Sequence, residues 1–173
     1  DNKKWMANAL NVQGVSFHIK GDLNKTLTYY IKSLSLRESI GDKKEIAKSY
    51  NNLGIIYRDQ GNYEKALDFH EKALSLKIDF DKDTIGLISA YINIGNIYAD
   101  QGYYKKALEF LYMSLKMIEK VNFKRAQGET YNRMGVIYEK QGLHEKAIEY
   151  HKKSLAIARE IDDKIEMANS YSY

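Results

Sequence analysis

Residues 50–66 read YNNLGIIYRDQGNYEKA, and this pattern returns at residues 91–107 as YINIGNIYADQGYYKKA and at residues 131–147 as YNRMGVIYEKQGLHEKA. A more divergent copy begins at residue 10. The first glycine of each copy is separated from the next by 40, 41 and 40 residues, and a second glycine follows seven residues after each. The glycine pairs are Gly14 and Gly21, Gly54 and Gly61, Gly95 and Gly102, and Gly135 and Gly142. Four copies of one pattern predict four similar structural units in a stack.

Each copy has the residue spacing of an α-helical hairpin. Tyr50, Leu53 and Tyr57 fall at positions i, i+3 and i+7, which places them on one face of a helix. Gly54 lies on the same face, and glycine inside a helix costs about 1 kcal/mol relative to alanine. Its recurrence therefore predicts that the partner helix approaches too closely for a Cβ atom. Gly61 suits the left-handed position that ends a helix, so it separates a first helix (helix A) from a second (helix B).

The order Tyr-x2-Leu-Gly-x2-Tyr-x3-Gly-x-Tyr-x2-Ala, which runs from Tyr50 to Ala66, resembles the tetratricopeptide repeat (TPR). The resemblance covers essentially the whole chain. It departs from the family in its period of 40 or 41 residues, instead of about 34, and in the absence of the usual proline. The long period is similar to that of kinesin light chains, of the Leu-Gly-Asn-type polarity adaptors, of quorum-peptide receptors in Gram-positive bacteria and of sensor kinases in Bacteroidetes.

The resemblance implies an all-α fold, a right-handed superhelical solenoid of antiparallel helix pairs. We expect residues 1–173 to form a single TPR domain with repeats at approximately 4–42, 43–82, 83–123 and 124–163, and a partial fifth repeat at 164–173. An array that stops inside helix A lacks a capping helix. Met167, Tyr171 and Tyr173 would then leave an apolar end face through which copies of the chain could self-associate.

Composition narrows the functional classes. The 173 residues include no cysteine, which excludes disulfides, thiolate metal sites and thiol nucleophiles. The net charge is only +4 and the lysines are interspersed with acidic residues, so we expect neither a nucleic acid nor a membrane as partner. No apolar run approaches the roughly 18 residues of a membrane span, and a chain that starts at Asp1 shows no signal peptide. A cytoplasmic location is the default expectation, and a periplasmic one remains open.

The TPR resemblance implies that the side of helix A opposite the packing stripe lines a concave groove for a peptide or protein ligand. Asparagine recurs on this side in all four copies. Its amide offers two donors and an acceptor on a short stem, so a row of asparagines could hold the backbone of an extended peptide. The alternative is that the asparagines bond across helices and only fix the stack. The predicted groove residues are Asn11, Lys48, Asn51, Asn52, Ile55, Arg58, Asn93, Asn96, Asn132, Arg133 and Val136.

The four histidines do not form an evident catalytic or metal site. His70 and His151 occupy equivalent packing positions of helix B, so we expect a structural role for both. His144 lies seven residues before His151, but no further histidine or cysteine completes a set of ligands. The sequence therefore predicts no bound metal.

One acidic run resembles part of a calcium-binding loop. Asp79, Asp81 and Asp83 alternate as the first ligands of such a loop do. Thr84 stands where the loop needs glycine, and Ala90 stands where it needs an acidic residue. We expect a solvated turn between repeats at this position.

The sequence contains no phosphate-binding loop, dinucleotide-binding fingerprint, zinc-protease motif or nucleophile elbow. It therefore predicts no enzymatic activity and no cofactor. The expected function is that of a non-catalytic module that binds a peptide or protein segment in the groove lined by helix A. The alternative is the sensory or regulatory region of a bacterial signalling protein, in which ligand binding or flexing of the solenoid controls an attached kinase or DNA-binding domain.

Overall fold

The computed structural model describes residues 2–80 and 84–162, with the side chains of residues 77–80 excepted. These residues form eight α-helices and no strand, which confirms the all-α class. Helices with odd numbers correspond to helix A and those with even numbers to helix B. The helices are α1 (Asn2–Ile19), α2 (Leu23–Ile40), α3 (Lys43–Asp59), α4 (Tyr63–Phe80), α5 (Thr84–Asp100), α6 (Tyr104–Val121), α7 (Lys124–Lys140) and α8 (His144–Glu160).

Local sequence determines where the helices begin and end. The second glycine of each copy adopts a left-handed conformation, with φ of 74° at Gly61 and 79° at Gly102, as expected for a residue between helix A and helix B. Gly41, with φ of 78°, closes α2 in the same way. Asp22 and Asp42 each begin a helix by accepting a hydrogen bond from the backbone N–H three residues later. The hairpin turns are therefore specified within the hairpins themselves.

The glycine inside each helix A receives a side chain of helix B, as the sequence predicted. A Cβ atom added at Gly54 would lie 2.6 Å from His70 Nε2, and one added at Gly135 would lie 2.6 Å from His151 Cε1. At Gly95 the nearest side-chain atom is Leu111 Cγ, at 3.2 Å. In the first copy the ring of Tyr30 takes the same place against Gly14. Each helix pair is antiparallel and is closed by this contact.

The chain divides into two compact units, residues 1–90 and 91–173. In the first unit, Tyr30, Leu34, Ile46, Leu53 and Ile56 form the apolar core between α2 and α3. In the second unit the buried apolar side chains of α5, α6 and α7 include Ile97, Leu111, Ile118, Met134 and Ile137. Each unit thus has its own core, built from residues at the helical periods of the sequence pattern.

Aromatic residues that recur at equivalent positions of the repeats form one stacked pair of rings in each hairpin. The Tyr57 and Phe69 rings are stacked with their centroids 5.4 Å apart, and Lys65 Nζ lies 5.2 Å from the Tyr57 centroid. The equivalent stack in the third hairpin joins Tyr98 and Phe110, with Lys106 over Tyr98. These rings pack between helices A and B, and the lysine stems cover them.

Three expectations lie outside the described residues. They concern the partial fifth repeat at 164–173, the apolar end face of Met167, Tyr171 and Tyr173, and the part of the predicted turn that holds Asp81 and Asp83. The backbone of Asp79, the first residue predicted for that turn, belongs to the last turn of α4 instead, because the helix continues to Phe80. None of the helices in the described ranges combines the length and the apolar composition that a bilayer crossing would require.

Candidate functional site

Two polar contacts join the helices A of the first unit. Asn52 of α3 donates from Nδ2 to Oδ1 of Asn11 in α1, at 3.0 Å. Two turns further along, His18 Nε2 lies 3.1 Å from an Asp59 carboxylate oxygen. Both pairs are separated by 41 residues, so α1 and α3 run parallel with a shift of one repeat. Asn11 and Asn52 are half-buried and stand side by side on adjacent helices.

Two of the predicted groove asparagines bond inward to helix B. Asn51 Oδ1 lies 3.1 Å from His70 Nδ1, and Asn132 Oδ1 lies 2.8 Å from His151 Nδ1. An amide oxygen can only accept, so Nδ1 carries the proton in both histidines. Both rings are buried, as the sequence predicted, and burial lowers the pKa of His151. For these two asparagines the contacts favour the alternative interpretation, in which the amide fixes one helix against another.

A buried arginine connects three helices of the first unit. Arg37 of α2 is 5% exposed and pairs with a Glu45 carboxylate oxygen at 2.9 Å. It also donates to Ser49 Oγ at 2.7 Å and to Asn8 Oδ1 at 3.3 Å. Sequence reasoning missed this cluster. The repeat pattern gives no signal for it, since the equivalent helix B positions hold Lys77, Ile118 and Ala158.

The other predicted groove residues occupy the expected helices with different degrees of burial. Lys48 of α3 is exposed and pairs with Glu45 at 2.6 Å. Asn96 is 7% exposed, so most of its side chain lies within the second unit. The remaining ones are half-buried: Ile55 and Arg58 on α3, Asn93 on α5, and Arg133 and Val136 on α7.

Three tyrosine hydroxyls converge in the second unit. Tyr112 Oη lies 2.7 Å from Tyr150 Oη and 3.3 Å from Tyr138 Oη. Burial and the hydrogen bond to Tyr112 raise the pKa of Tyr138 to about 12, and the same causes raise the pKa of Tyr150. The hydroxyls of Tyr138 and Tyr150 therefore stay protonated at neutral pH, where they act as hydrogen-bond donors and acceptors rather than as nucleophiles.

Across the described ranges, no group of three or more histidines and carboxylates is placed to hold a metal ion. What the helix A surfaces offer is hydrogen bonding by amides. Asn11 and Asn52 use one donor and one acceptor for each other and retain further N–H and C=O capacity. Beside them, Ile55 adds an apolar contact. Such a surface suits a polypeptide backbone with side chains of mixed polarity.

Comparison with known proteins identifies the repeat pattern independently. A family model described as "Tetratricopeptide repeat" matches residues 5–79, 86–160 and 126–172. Together these ranges cover most of the chain. No curated protein matches the sequence significantly.

Several solved structures share the fold. Aspartyl phosphate phosphatase F from Bacillus subtilis superposes with a TM-score of 0.90 at 19% identity, over 99% of this chain and 45% of that one. A Rap protein complexed with competence and sporulation factor gives 0.89 at 19% identity, over 98% and 47%. The Rap conjugation gene regulator of plasmid pLS20, in complex with the Phr* peptide, gives 0.78 at 17% identity, over 85% and 41%. The chain thus spans less than half of each of these proteins, and at such identities the likeness concerns the fold alone.

Proposed function

The chain belongs to the tetratricopeptide-repeat family, and on that premise we propose that it is a non-catalytic module that binds a peptide or protein segment along its helix A surfaces. In the first unit the proposed binding residues are Asn11, Asn52 and Ile55. In the second unit they are Asn93, Asn96, Arg133 and Val136. Asn51 and Asn132 are left out of the proposed binding residues, because their amides bond to the buried histidines of helix B.

The observation that carries the proposal is the Asn11–Asn52 pair. The two amides stand side by side on the parallel helices α1 and α3, so the distance between them is set by the spacing of the helices and not by the spacing of residues along one helix. A bound polypeptide that crosses both helices would meet one amide per helix and could bond to each with its own N–H and C=O groups. The mutual hydrogen bond orients both amides before the ligand arrives, which reduces the entropic cost of binding.

Two of the structural neighbours support a peptide ligand. One Rap protein was solved with competence and sporulation factor, and the pLS20 regulator was solved with the Phr* peptide. Proteins that contain the fold of this chain thus include two solved with such ligands, which supports the proposal.

The test is a selection of binding peptides from a random library displayed on phage, followed by affinity measurements with variants of the chain. We expect Asn11→Ala combined with Asn52→Ala to weaken binding by about 30-fold. This corresponds to two lost hydrogen bonds of about 1 kcal/mol each. The thermal midpoint should remain nearly unchanged, because both side chains are only half-buried.

Asn24→Ala provides the matched control, since Asn24 is an exposed asparagine on α2, a helix B. Its affinity for the selected peptides should equal that of the wild type. If the double variant unfolds at a much lower thermal midpoint and also fails to bind, the proposal is contradicted and the purely structural role of the asparagines is favoured.

A second candidate function is that of a sensory or regulatory region. Its specific support is the coverage: the chain spans 41% of the pLS20 conjugation gene regulator and 45% of the aspartyl phosphate phosphatase, so the fold occurs within larger proteins with regulatory or phosphatase names. The sequence of the complete polypeptide tests this candidate. A histidine kinase or a helix-turn-helix domain on the same polypeptide would support this candidate. A polypeptide without either would favour the simple binding module proposed first.

A further inference from the structure

Three tyrosine hydroxyls of the second unit form a cluster that the proposed binding surface does not use. Tyr112 Oη of α6 lies 2.7 Å from Tyr150 Oη of α8 and 3.3 Å from Tyr138 Oη of α7. The three residues come from three successive helices, so their hydroxyls meet where the third hairpin packs against the fourth. We call Tyr112, Tyr138 and Tyr150 the tyrosine cluster.

The cluster is not a general property of the repeat. The position of Tyr112 holds Ile31, Glu71 and Lys152 in the other three hairpins. The position of Tyr150 holds phenylalanine in the second and third hairpins. The packing of the repeats therefore does not require a hydroxyl at either position, and the convergence of hydroxyls at this interface is a feature of these particular residues.

Packing restrains the partner of Tyr112. The rings of Tyr138 and Tyr150 are stacked, with centroids 5.2 Å apart and planes 25° from parallel. Lys153 Nζ lies 4.6 Å from the centroid of the Tyr150 ring. Tyr112 is 44% exposed, whereas Tyr150 is half-buried. The cluster thus joins one phenol that is open to solvent to a second phenol whose position is set by its neighbours.

Two phenols in contact can be joined by oxidation. A phenol that loses one electron and its hydroxyl proton becomes a phenoxyl radical, and two such radicals couple through the ring carbons ortho to the oxygens. In the product, which is dityrosine, both hydroxyls lie beside the new carbon–carbon bond and are therefore neighbours. The 2.7 Å contact between Tyr112 and Tyr150 already brings the two oxygens together. Groups held in this way react faster than groups that meet by diffusion.

We propose that the tyrosine cluster is an oxidative modification site, at which Tyr112 and Tyr150 are joined as dityrosine by a haem peroxidase that uses hydrogen peroxide. Each phenol gives up one electron and one proton, and the carbon–carbon bond forms between the two radicals. The ortho hydrogens then move to the oxygens, which restores both phenols. Hydrogen peroxide accepts the two electrons and two protons and leaves as two molecules of water.

Tyr150 is the partner in the cross-link in preference to Tyr138. The distance from Tyr112 Oη is 2.7 Å to Tyr150 and 3.3 Å to Tyr138, and only the shorter one lies in the usual range for two hydroxyls. Tyr138 is also only 8% exposed, so an external oxidant reaches it less readily.

The cross-link would act as a lock on the second unit. Tyr112 and Tyr150 are 38 residues apart in the chain, and a bond between them ties the third hairpin to the fourth. A covalent bond that closes such a loop restricts the unfolded chain, as a disulfide does. The chain contains no cysteine, so a disulfide could not supply this lock.

The test treats the complete chain at low concentration with a haem peroxidase and hydrogen peroxide, and isolates the monomer by size. Trypsin releases Tyr112 within residues 107–116 and Tyr150 within residues 147–152, and neither peptide contains a second tyrosine. Mass spectrometry should therefore find these two peptides joined, with the mass of two hydrogen atoms missing from their sum.

Variants connect the chemistry to the geometry. Tyr112→Phe and Tyr150→Phe should each lower the dityrosine fluorescence of the oxidised monomer by at least ~5-fold, because each removes one of the two phenols in contact. The second variant carries the residue that two other hairpins have at this position, so it should fold. Tyr103→Phe is the matched control, since Tyr103 is 58% exposed, more than Tyr112. This control and Tyr138→Phe should keep the fluorescence of the wild type.

The thermal midpoint measures the lock. The oxidised wild-type monomer should unfold about 5–10 °C above the untreated chain, and oxidised Tyr112→Phe should show no such rise. An unchanged midpoint in a chain with the link between Tyr112 and Tyr150 would overturn the role of the cross-link as a lock.

Two other results would overturn the modification site itself. The first is the absence of the joined peptides when Met113 has become the sulfoxide. Met113 is 44% exposed beside Tyr112, so its oxidation shows that the oxidant reached this part of α6. The second is dityrosine fluorescence that persists in Tyr150→Phe and disappears in Tyr138→Phe or Tyr103→Phe, which would assign the reaction to another pair of tyrosines.

Discussion

The second and third hairpins place side chains of opposite polarity against the glycine of helix A. In the second, the glycine of helix A faces the imidazole of His70, and Asn51 bonds that ring. In the third, Gly95 faces Leu111, and the position equivalent to Asn51 holds Ile92, which is 7% exposed. The fourth hairpin repeats the polar version with His151 and Asn132. The second and fourth hairpins thus place a hydrogen-bonded polar pair where the third places two buried apolar residues, which predicts that the two sets can be exchanged if both residues change together.

The largest expected difference between the two hairpins concerns the glycines. In Gly54→Ala the new Cβ would lie 2.6–2.8 Å from three ring atoms of His70, a rigid and fully buried side chain. We expect a loss of about 2 kcal/mol in unfolding free energy, because the cost of overpacking exceeds the gain of about 1 kcal/mol in helix propensity.

Gly95→Ala is the matched comparison, since its contacts with Ala107 O and Leu111 Cγ are at 3.2 Å. Its stability should change by less than about 1 kcal/mol, because a small displacement relieves the contact and the propensity gain offsets it. Urea unfolding of both variants measures the difference. Equal losses would show that the histidine ring is no more rigid a neighbour than leucine.

The next effect tests whether the polar pair is interchangeable with the apolar one. Asn51→Ile alone leaves the Nδ1–H of His70 without its acceptor in a buried site, and we expect a loss of about 1.5 kcal/mol. Adding His70→Leu gives the second hairpin the residues that the third hairpin has at these two positions, Ile92 and Leu111, and should restore most of the stability.

The double-mutant cycle from these variants should yield a coupling free energy of about 1 kcal/mol. Additive losses would instead mean that Asn51 and His70 stabilise the chain independently, and the comparison between the two hairpins would then be superficial.

A smaller effect depends on pH. Burial lowers the pKa of His151, and Glu139 partly opposes this effect. The unfolded chain then binds the proton more readily, so stability is complete above the unfolded pKa of about 6.5 and falls as the pH drops below it. The variant Asn132→Ile with His151→Leu, which copies the third hairpin, should lose less stability between pH 7.5 and pH 5. Thermal midpoints across this range provide the measurement, and identical profiles would show that His151 is not the titrating group.

The smallest expected effect concerns what the two hairpins share. Lys65 lies 5.2 Å from the Tyr57 centroid, and Lys106 lies 5.3 Å from the Tyr98 centroid. Both lysines are exposed, so Lys65→Ala and Lys106→Ala should each cost about 0.5 kcal/mol. The losses should agree within the error of urea titrations. Clearly different losses for the two lysine variants would mean that the side chain packed against the helix A glycine also affects the contact between the lysine and the aromatic ring.

Much of the fold could be predicted from the sequence because it depends on local rules. The left-handed glycines, the helix pairs and the close approach at Gly54 follow from residue types and spacings within one hairpin. The site was harder to predict. Angular position on helix A places Asn51 and Asn52 next to each other, yet Asn51 bonds to helix B and Asn52 to the preceding helix A. The two contacts differ because the helices on the two sides of α3 present different atoms.

The buried Arg37 illustrates the same limit. From the sequence, an arginine near the end of an amphipathic helix is predicted to lie at the solvated surface. The other copies of the repeat have no arginine at the equivalent position. Its burial depends on Glu45, Ser49 and Asn8, which come from two other helices and become neighbours only after the hairpins stack. A charge in such a place is tolerated because all its partners are present together.

The sequence by itself determined the repeat, the helix boundaries and the packing face of each helix, because these depend on residue types at fixed separations along one chain. The tertiary structure decided which asparagines satisfy buried partners on helix B and which bond to a neighbouring helix A while remaining half-buried. A helical period defines a direction around one axis, whereas a hydrogen bond requires two atoms from separate helices within about 3 Å, and only the packed arrangement of helices sets that distance.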